Sequence, residues 1–317
     1  MTDPLTLFLQ VLPIILLISL GMVLRQIHFL KPETVDQLKQ MVLSIGLPAL
    51  LFQTFATTTL NQSYLAIVAT VFVTCLVLLG AAIVILRALK FDNPFAPALF
   101  TGFETGMIGY ALYLAVFGQS EVFRLAIVDL GQVTFVFFVL VTFISRQNGQ
   151  RPGGWQLIRS FLLSPVILAI LLGILASLTG LGTLLETTRG GQMVATTVQL
   201  LGNLTVPLIT LAIGFELQLN RETFKAPLLA ALVRILTMFA LATLINKFLI
   251  RDLLHLEPAF ETALMTLFLL PPPFVIPILM SGNNWPPETH AKHRQFVLST
   301  LSIHIILSLI AFILVIH

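Results

Sequence analysis

Two ionisable residues lie in the middle of long apolar stretches of this 317-residue chain. Glu104 lies in the stretch 94–118, and Arg234 lies in the stretch 224–246. Burial among apolar groups disfavours the ionised form of a carboxyl, so Glu104 could take up and release a proton. Arg234 could bind an anionic ligand, or it could pair with a buried carboxylate such as Glu104 or Asp129 and hold helices together.

Glycines and prolines interrupt two of the apolar stretches. The interrupting residues are Gly106 and Gly109 in 94–118, and Pro271, Pro272 and Pro273 in 258–281. Glycine weakens a helix and lets another backbone approach, and three successive prolines remove three backbone donors. We predict two broken helices that cross, with second halves that begin at about Tyr110 and Phe274. The free N–H groups and positive dipole ends of those halves would suit a carboxylate.

Other polar residues within apolar stretches are weaker candidates. Asp129 is the next titratable candidate after Glu104, and His304 could relay protons, although a hydrogen-bonded core histidine is the simpler interpretation. Gln53 and Asn203 could line a cavity or satisfy backbone groups. Since Cys75 is the only cysteine, we expect no disulfide framework and no multi-cysteine metal site, and the sequence predicts no bound cofactor.

The composition defines the elements that must position these residues. Hydrophobic residues make up 57% of the chain and charged residues only 10%, against about 25% charged in soluble domains. The mean hydropathy is +0.99. This excludes a secreted globular domain, a disordered chain and a nucleic-acid binder, despite a pI near 9.2. The sequence predicts an all-α polytopic protein whose partner is the lipid bilayer.

The hydropathy pattern predicts ten transmembrane helices, each of roughly 20 residues. We number these spans 1 to 10; they are 5–24, 38–57, 64–86, 94–118, 122–145, 160–181, 193–216, 224–246, 258–281 and 294–316. Twelve Lys and Arg residues fall in the odd-numbered joints and four in the even-numbered joints and termini. Positive charge favours the cytoplasmic side, so we expect both termini outside, in a cell inner or plasma membrane.

The spans predict an internal duplication. The matched pairs are Pro48 with Pro207, Pro13 with Pro165, Gly21 with Gly173, Pro94 with Pro258, and Gly118 with Gly282. The predicted units are a first five-helix repeat (1–145), a cytoplasmic linker (146–159) and a second repeat (160–317). Five spans is an odd number, so the second repeat is inverted. Inverted repeats with broken helices in matching positions are typical of alternating-access transporters.

The chain resembles the auxin efflux carrier family over essentially its whole length. The motifs that carry the likeness are Leu47-Pro48-Ala49-Leu50-Leu51-Phe52, Gly106-Met107-Ile108-Gly109 and Val206-Pro207-Leu208. The resemblance implies a scaffold of spans 1, 2, 6 and 7, a mobile transport domain of spans 3, 4, 5, 8, 9 and 10, and a homodimer through the scaffold. The family often has Asn where this chain has Glu104, and Pro where it has Ala111.

From these features we expect a secondary transporter of a small organic anion, a mono- or dicarboxylate, with coupling to H⁺. The alternative in the same class is a Na⁺-coupled symporter that resembles bile-acid carriers, with Glu104 and unwound carbonyls as Na⁺ ligands. An intramembrane enzyme is a third alternative. It ranks low, because the chain has no His-Glu-x-x-His, Gly-x-Gly-Asp or nucleotide-binding glycine loop.

Overall fold

The computed structural model describes residues 4–58, 61–216, 224–280 and 285–315. Within these ranges every regular element is a helix. Gly282, which the repeat alignment matched with Gly118, and Arg221, one of the counted cytoplasmic charges, lie outside the described residues.

The first half of the chain contains seven described α-helices and several non-α turns. The helices are α1 (Pro4–Gln26), α2 (Pro32–Met41), α3 (Leu47–Ala56), α4 (Ser63–Ala88), α5 (Tyr110–Phe117), α6 (Val122–Phe135) and α7 (Val141–Gln147). The π-helical turns are Val42–Gly46, Thr105–Gly109 and Val136–Leu140, and the 3₁₀ turns are Ala96–Phe100 and Gln119–Glu121. Each π-turn runs directly into an α-helix, so α3, α5 and α7 each continue a helical segment that has already begun.

The second half contains nine described α-helices. Its described helices are α8 (Gly154–Leu162), α9 (Pro165–Leu178), α10 (Leu181–Thr187), α11 (Arg189–Asn203), α12 (Thr205–Glu216), α13 (Lys225–Ile245), α14 (Pro258–Leu269), α15 (Val275–Leu279) and α16 (Pro287–Val315). A π-turn, Asn246–Arg251, extends α13.

The length and composition of the described helices indicate a multi-pass membrane protein. Seven are long and apolar enough to cross a bilayer, and an eighth span forms if α8 and α9, which are bent by 57°, count together. Shorter apolar helices, Val11–Gln26 within α1 and Pro258–Leu269, occupy the positions of predicted spans 1 and 9. The prediction of an all-helical polytopic membrane protein is confirmed.

The helices pack in four main pairs: α1 with α12, α3 with α9, α4 with α6, and α13 with α16. Small residues bring the first two pairs together. A Cβ on Gly21 would lie 2.2 Å from the carbonyl oxygen of Leu211, and a Cβ on Gly173 would lie 2.8 Å from that of Phe52. Close backbone approach through glycine is the usual packing of membrane helices.

Besides the predicted broken spans 4 and 9, spans 6 and 7 are not continuous helices. Span 6, predicted as 160–181, is wrong at its start, because the helix ends at Leu162 and a new one begins at Pro165. Proline disfavours helical backbone at the residue before it, and Ser164 is extended at ψ 129°. Span 7 is interrupted at Leu204, between α11 and α12.

Candidate functional site

Predicted span 4 is broken, but not at the residues the sequence suggested. The 3₁₀ turn ends at Phe100, residues 101–104 form no regular structure, and the second half begins at Thr105. Gly106 and Gly109 lie inside the π-turn, and α5 begins at Tyr110, the residue predicted for the second half, although helical backbone already starts at Thr105. The break falls earlier because Gly102 takes a φ of +65°, which other residues rarely adopt.

Predicted span 9 breaks at its prolines. Helix α14 ends at Leu269, and residues 270–273 form no regular structure before α15. Phe274, at the N-cap of α15, is the start that the sequence predicted for this second half. The buried chain at Pro271, Pro272 and Pro273 needs fewer hydrogen-bond partners, since proline has no backbone N–H.

The two breaks contact each other directly. The backbone N–H of Glu104 donates to the carbonyl of Pro271 at 2.9 Å. A Cβ on Gly102 would lie 2.8 Å from Cγ of Pro273, so only glycine fits there without a shift. A Cβ on Gly109 would lie 2.5 Å from Cδ1 of Leu270, while one on Gly106 would meet only ordinary contacts. The expected close approach therefore involves Gly109 and Gly102.

The Glu104 side chain joins the starts of both second halves. One carboxylate oxygen, Oε1, accepts the backbone N–H of Met107 at 3.2 Å, as an N-cap does. The other, Oε2, accepts the backbone N–H of Phe274 at 2.6 Å. Only 9% of Glu104 is exposed. The protein's own carboxylate thus occupies the donors predicted for an anionic ligand, where the helix dipole favours negative charge.

Arg234 lies at the opposite ends of the breaks. Its guanidinium donates to the carbonyls of Leu99 at 3.0 Å, Gly102 at 2.7 Å and Leu270 at 3.2 Å. These carbonyls terminate the first halves of both broken helices, where the dipole favours a cation. Among the described residues Arg234 forms no ion pair, so the alternative in which it pairs with Glu104 or Asp129 is wrong. It is 1% exposed, its Nη1 and Nη2 donate to backbone carbonyls, and its buried Nε has no partner among the described residues.

Asp129 organises a second buried network beside the π-turn. Its Oδ1 accepts from the Thr105 hydroxyl at 2.6 Å and from Nε2 of Gln132 at 2.7 Å, and its Oδ2 accepts from the Tyr110 hydroxyl at 3.0 Å. Oε1 of Gln132 accepts the backbone N–H of Phe103 at 3.2 Å. These bonds fix the broken segment at both ends, so its buried polar groups have partners.

A cavity of about 760 Å³ leads to this crossing. Met107 and Phe274, whose N–H groups bind Glu104, are among its lining residues, and Arg25, Lys39 and Arg294 are its cations. Lys39 forms ion pairs with Asp36 at 2.7 Å and with Glu216. The cavity lies between α1, α2 and α12 on one side and the crossing and α16 on the other.

The remaining candidates lie away from the crossing or serve local packing. Gln53 accepts from Nε2 of Gln119 at 2.9 Å and is half-buried near the α3–α9 contact. Asn203 is exposed on α11 and lines neither of the cavities that contain Gln53 or Arg294. His304 is buried, with Nδ1 3.0 Å from the Ser308 hydroxyl. Among the described residues, no three His, Cys, Asp or Glu side chains are grouped to hold a metal ion.

Sequence reasoning missed Gly102, which turns the chain at the break, and Thr105, which donates to Asp129 beside Gln132. Gly102 is present in the same stretch of sequence, but Gly106 and Gly109, three residues apart, were the stronger signal for a helix break. Gln132 lies one helical turn after Asp129, a spacing that places both side chains on one face of a helix.

Two comparisons with known proteins bear on the class of this protein. Residues 6–153 match the family described as "Membrane transport protein". The chain is 25% identical over 275 residues to a protein named as an uncharacterized transporter from Methanocaldococcus jannaschii, covering 82% of this chain and 87% of that protein.

The fold and these matches define the class, a multi-pass membrane transporter. Within that class both matches support the resemblance to the auxin efflux carrier family that the three motifs indicate.

Proposed function

We propose that the protein is a secondary active transporter of a small organic anion, a mono- or dicarboxylate, that works by alternating access. The observation that carries the proposal is the cavity of about 760 Å³ that is lined by Met107 and Phe274, the two residues whose backbone N–H groups bind Glu104. Broken helices whose positive ends meet at one point are the usual anion site of transporters with repeated halves. The volume lies within the range of small-molecule pockets.

The proposed architecture is ten spans in two inverted repeats. Support comes from the two glycine contacts in the scaffold. Gly21 and Gly173 are a matched pair, and the residues they touch, Leu211 and Phe52, have the same offset as matched Pro207 and Pro48. Each repeat therefore places its first helix against the second helix of the other. The α4–α6 and α13–α16 pairs follow the same symmetry.

The proposed moving parts are the two groups of helices on either side of the cavity. Spans 1, 2, 6 and 7 form the scaffold, and spans 3, 4, 5, 8, 9 and 10 form the transport domain. Such a boundary requires a cavity with helices of both groups in its walls. This cavity is lined by α1, α2 and α12 from the first group and by the crossing and α16 from the second. In the proposed orientation, with both termini outside the inner membrane, Arg25, Lys39 and Arg294 place its mouth in the cytoplasm.

The proposed coupling ion is H⁺, carried by Glu104. Ionised, its carboxylate fills the backbone donors of two residues that line the cavity. Protonated, it loses acceptor capacity, and the donors become available to the carboxylate of a ligand. One proton would then accompany each carboxylate that displaces Glu104. Homodimerisation through the scaffold is part of this proposal by family resemblance alone.

The Na⁺-coupled alternative requires a cation site, which the proton-coupled mechanism does not. It needs carboxylate oxygens arranged around a cation, and Glu104 and Asp129 each point both oxygens at protein donors. We therefore favour H⁺ over Na⁺.

Uptake into proteoliposomes tests the function. Radiolabelled mono- and dicarboxylates are supplied with a pH gradient alone, a Na⁺ gradient alone, or neither. The proposal expects accumulation of at least one acid driven by an inward proton gradient. Accumulation that needs Na⁺ at constant pH supports the alternative. Chemical conversion of an added acid by the purified protein, without a second compartment, would instead indicate an enzyme.

A further inference from the structure

A turn rich in arginine follows α7. The chain has no Asp or Glu between Asp129 and Glu186, yet this region contains Arg146, Arg151 and Arg159. Among the described residues, none of these three arginines forms an ion pair or a side-chain hydrogen bond. The transport mechanism uses none of them, so their charge is available to a ligand.

The turn has a fixed shape that brings two of the arginines together. Gly149 takes a φ of +75°, and the backbone N–H of Gln150 donates to the Ser145 carbonyl at 2.8 Å. The Asn148 amide donates to the Leu279 carbonyl at 2.6 Å and ties the turn to the end of α15. As a result Arg146 and Arg151 line one open cavity of about 510 Å³ with Gly149 and Gln150.

Helix α8, which follows at once, is held against the protein along one face. Leu157 and Phe161, four residues apart, are half-buried. The Phe161 ring lies 5.5 Å from the ring of Phe137 and 5.2 Å from that of Phe138. These contacts fix the rotation of α8 about its axis.

A second face of α8 is apolar and exposed. Trp155, Ile158 and Leu162 recur at helical spacing and are 76%, 40% and 46% exposed. Arg159 and Ser160 lie on the remaining, polar face. The 57° bend turns α8 away from the direction of α9. A helix that is apolar along one side, basic on another, and carries an exposed tryptophan in its first turn is typical of one that lies in a membrane interface.

We propose that Arg146 and Arg151, with α8, form a binding site for the phosphate headgroup of an anionic phospholipid. The two guanidinium groups supply bidentate donors for phosphate oxygens. The apolar stripe of α8 lies where the acyl chains of the same leaflet begin. Charge complementarity selects an anionic lipid over a zwitterionic one, since the cavity has no acidic residue.

Tryptophan quenching in nanodiscs tests the site. The full chain with Trp285→Phe leaves Trp155 as the single tryptophan. Brominated phosphatidylglycerol and brominated phosphatidylcholine are compared at equal mole fraction. We expect stronger quenching by the anionic lipid, and Arg146→Gln with Arg151→Gln should reduce the preference roughly fivefold for each arginine lost. The matched control, Lys31→Gln with Lys292→Gln, removes two charges elsewhere and should keep it.

Several results would overturn the site. Equal quenching by the two lipids, or a full preference in the double arginine variant, removes the role of the guanidinium groups. If that variant does not fold, each single arginine variant must lose part of the preference. Competition by inorganic phosphate, beyond that of chloride at equal ionic strength, indicates a soluble anion instead. Absence of quenching by either lipid, with cross-linking between copies through Trp155→Cys, indicates that a second copy covers α8.

Discussion

Replacing Glu104 with glutamine should separate proton coupling from substrate binding. The carboxylate accepts two backbone N–H groups, at 3.2 and 2.6 Å, whereas an amide has a single acceptor oxygen. One buried N–H therefore loses its partner, at a cost of about 1–3 kcal/mol. That is small enough for the variant to fold, and it leaves a donor free for the ligand.

The expected transport behaviour follows from the charge. A carrier that moves one proton with each monocarboxylate accumulates it about tenfold for each unit of pH difference, because one unit corresponds to about 1.36 kcal/mol. Glu104→Gln has no proton to carry, so accumulation driven by pH should fall to the level without a gradient. Exchange of labelled for unlabelled substrate across the membrane should persist. Wild-type net uptake should rise as the pH on the loading side falls, and the variant should lose this dependence.

The assay measures both rates in proteoliposomes from pH 5 to 8. Glu261→Gln is the control, since Glu261 is a carboxylate of predicted span 9 that pairs with Arg251 at 2.6 Å, outside the crossing. It should keep wild-type accumulation. Unchanged pH-driven accumulation in Glu104→Gln would refute the role of Glu104 and make Asp129 the next residue to test. Loss of both rates in a folded variant would show that Glu104 is needed for binding itself.

Three further predictions concern the break, its cation and the topology. Gly102→Ala should lower the unfolding temperature more than Gly118→Ala. Both glycines have positive φ, but only a Cβ at position 102 meets another atom, 2.8 Å away. Equal shifts in unfolding temperature would contradict the close approach. Arg234→Lys should destabilise the protein yet leave substrate affinity within about twofold of wild type, since the side chain contacts backbone carbonyls. Loss of substrate binding at unchanged stability would instead show that Arg234 binds the ligand. A cysteine at Gly149 should be labelled only from the cytoplasm and one at Gln62 only from outside; labelling of both from one side would overturn the inverted repeat.

Hydropathy and residue type predicted the helical class and the importance of the crossing. Apolar stretches locate membrane helices because lipid leaves the backbone no other partner. The triple proline located the second break, because the missing donors act locally, whatever the tertiary environment. An ionisable residue at mid-span is costly, which is why the residue type and position of Glu104 are enough to make it a candidate.

Other features depend on contacts that sequence patterns do not encode. The position of the first break depends on the φ of one glycine, and three glycines were available within eight residues. The role of Arg234 could not be predicted, since its partners are backbone carbonyls, which every residue has. The exposure of Asn203 depends on the rotation of α11 about its axis. A proline nearby in the sequence does not determine in which direction a side chain points.

The three hydrogen bonds of Arg234 also have a mechanical consequence. One guanidinium on α13 holds carbonyls from both broken helices, and Glu104 joins the same two helices from the other side. Predicted spans 4, 8 and 9 are thereby joined into a single block. In the proposed alternating-access cycle we expect this block to move as a whole, with distances measured within it constant. Only distances from the block to α1 and α12 should then change.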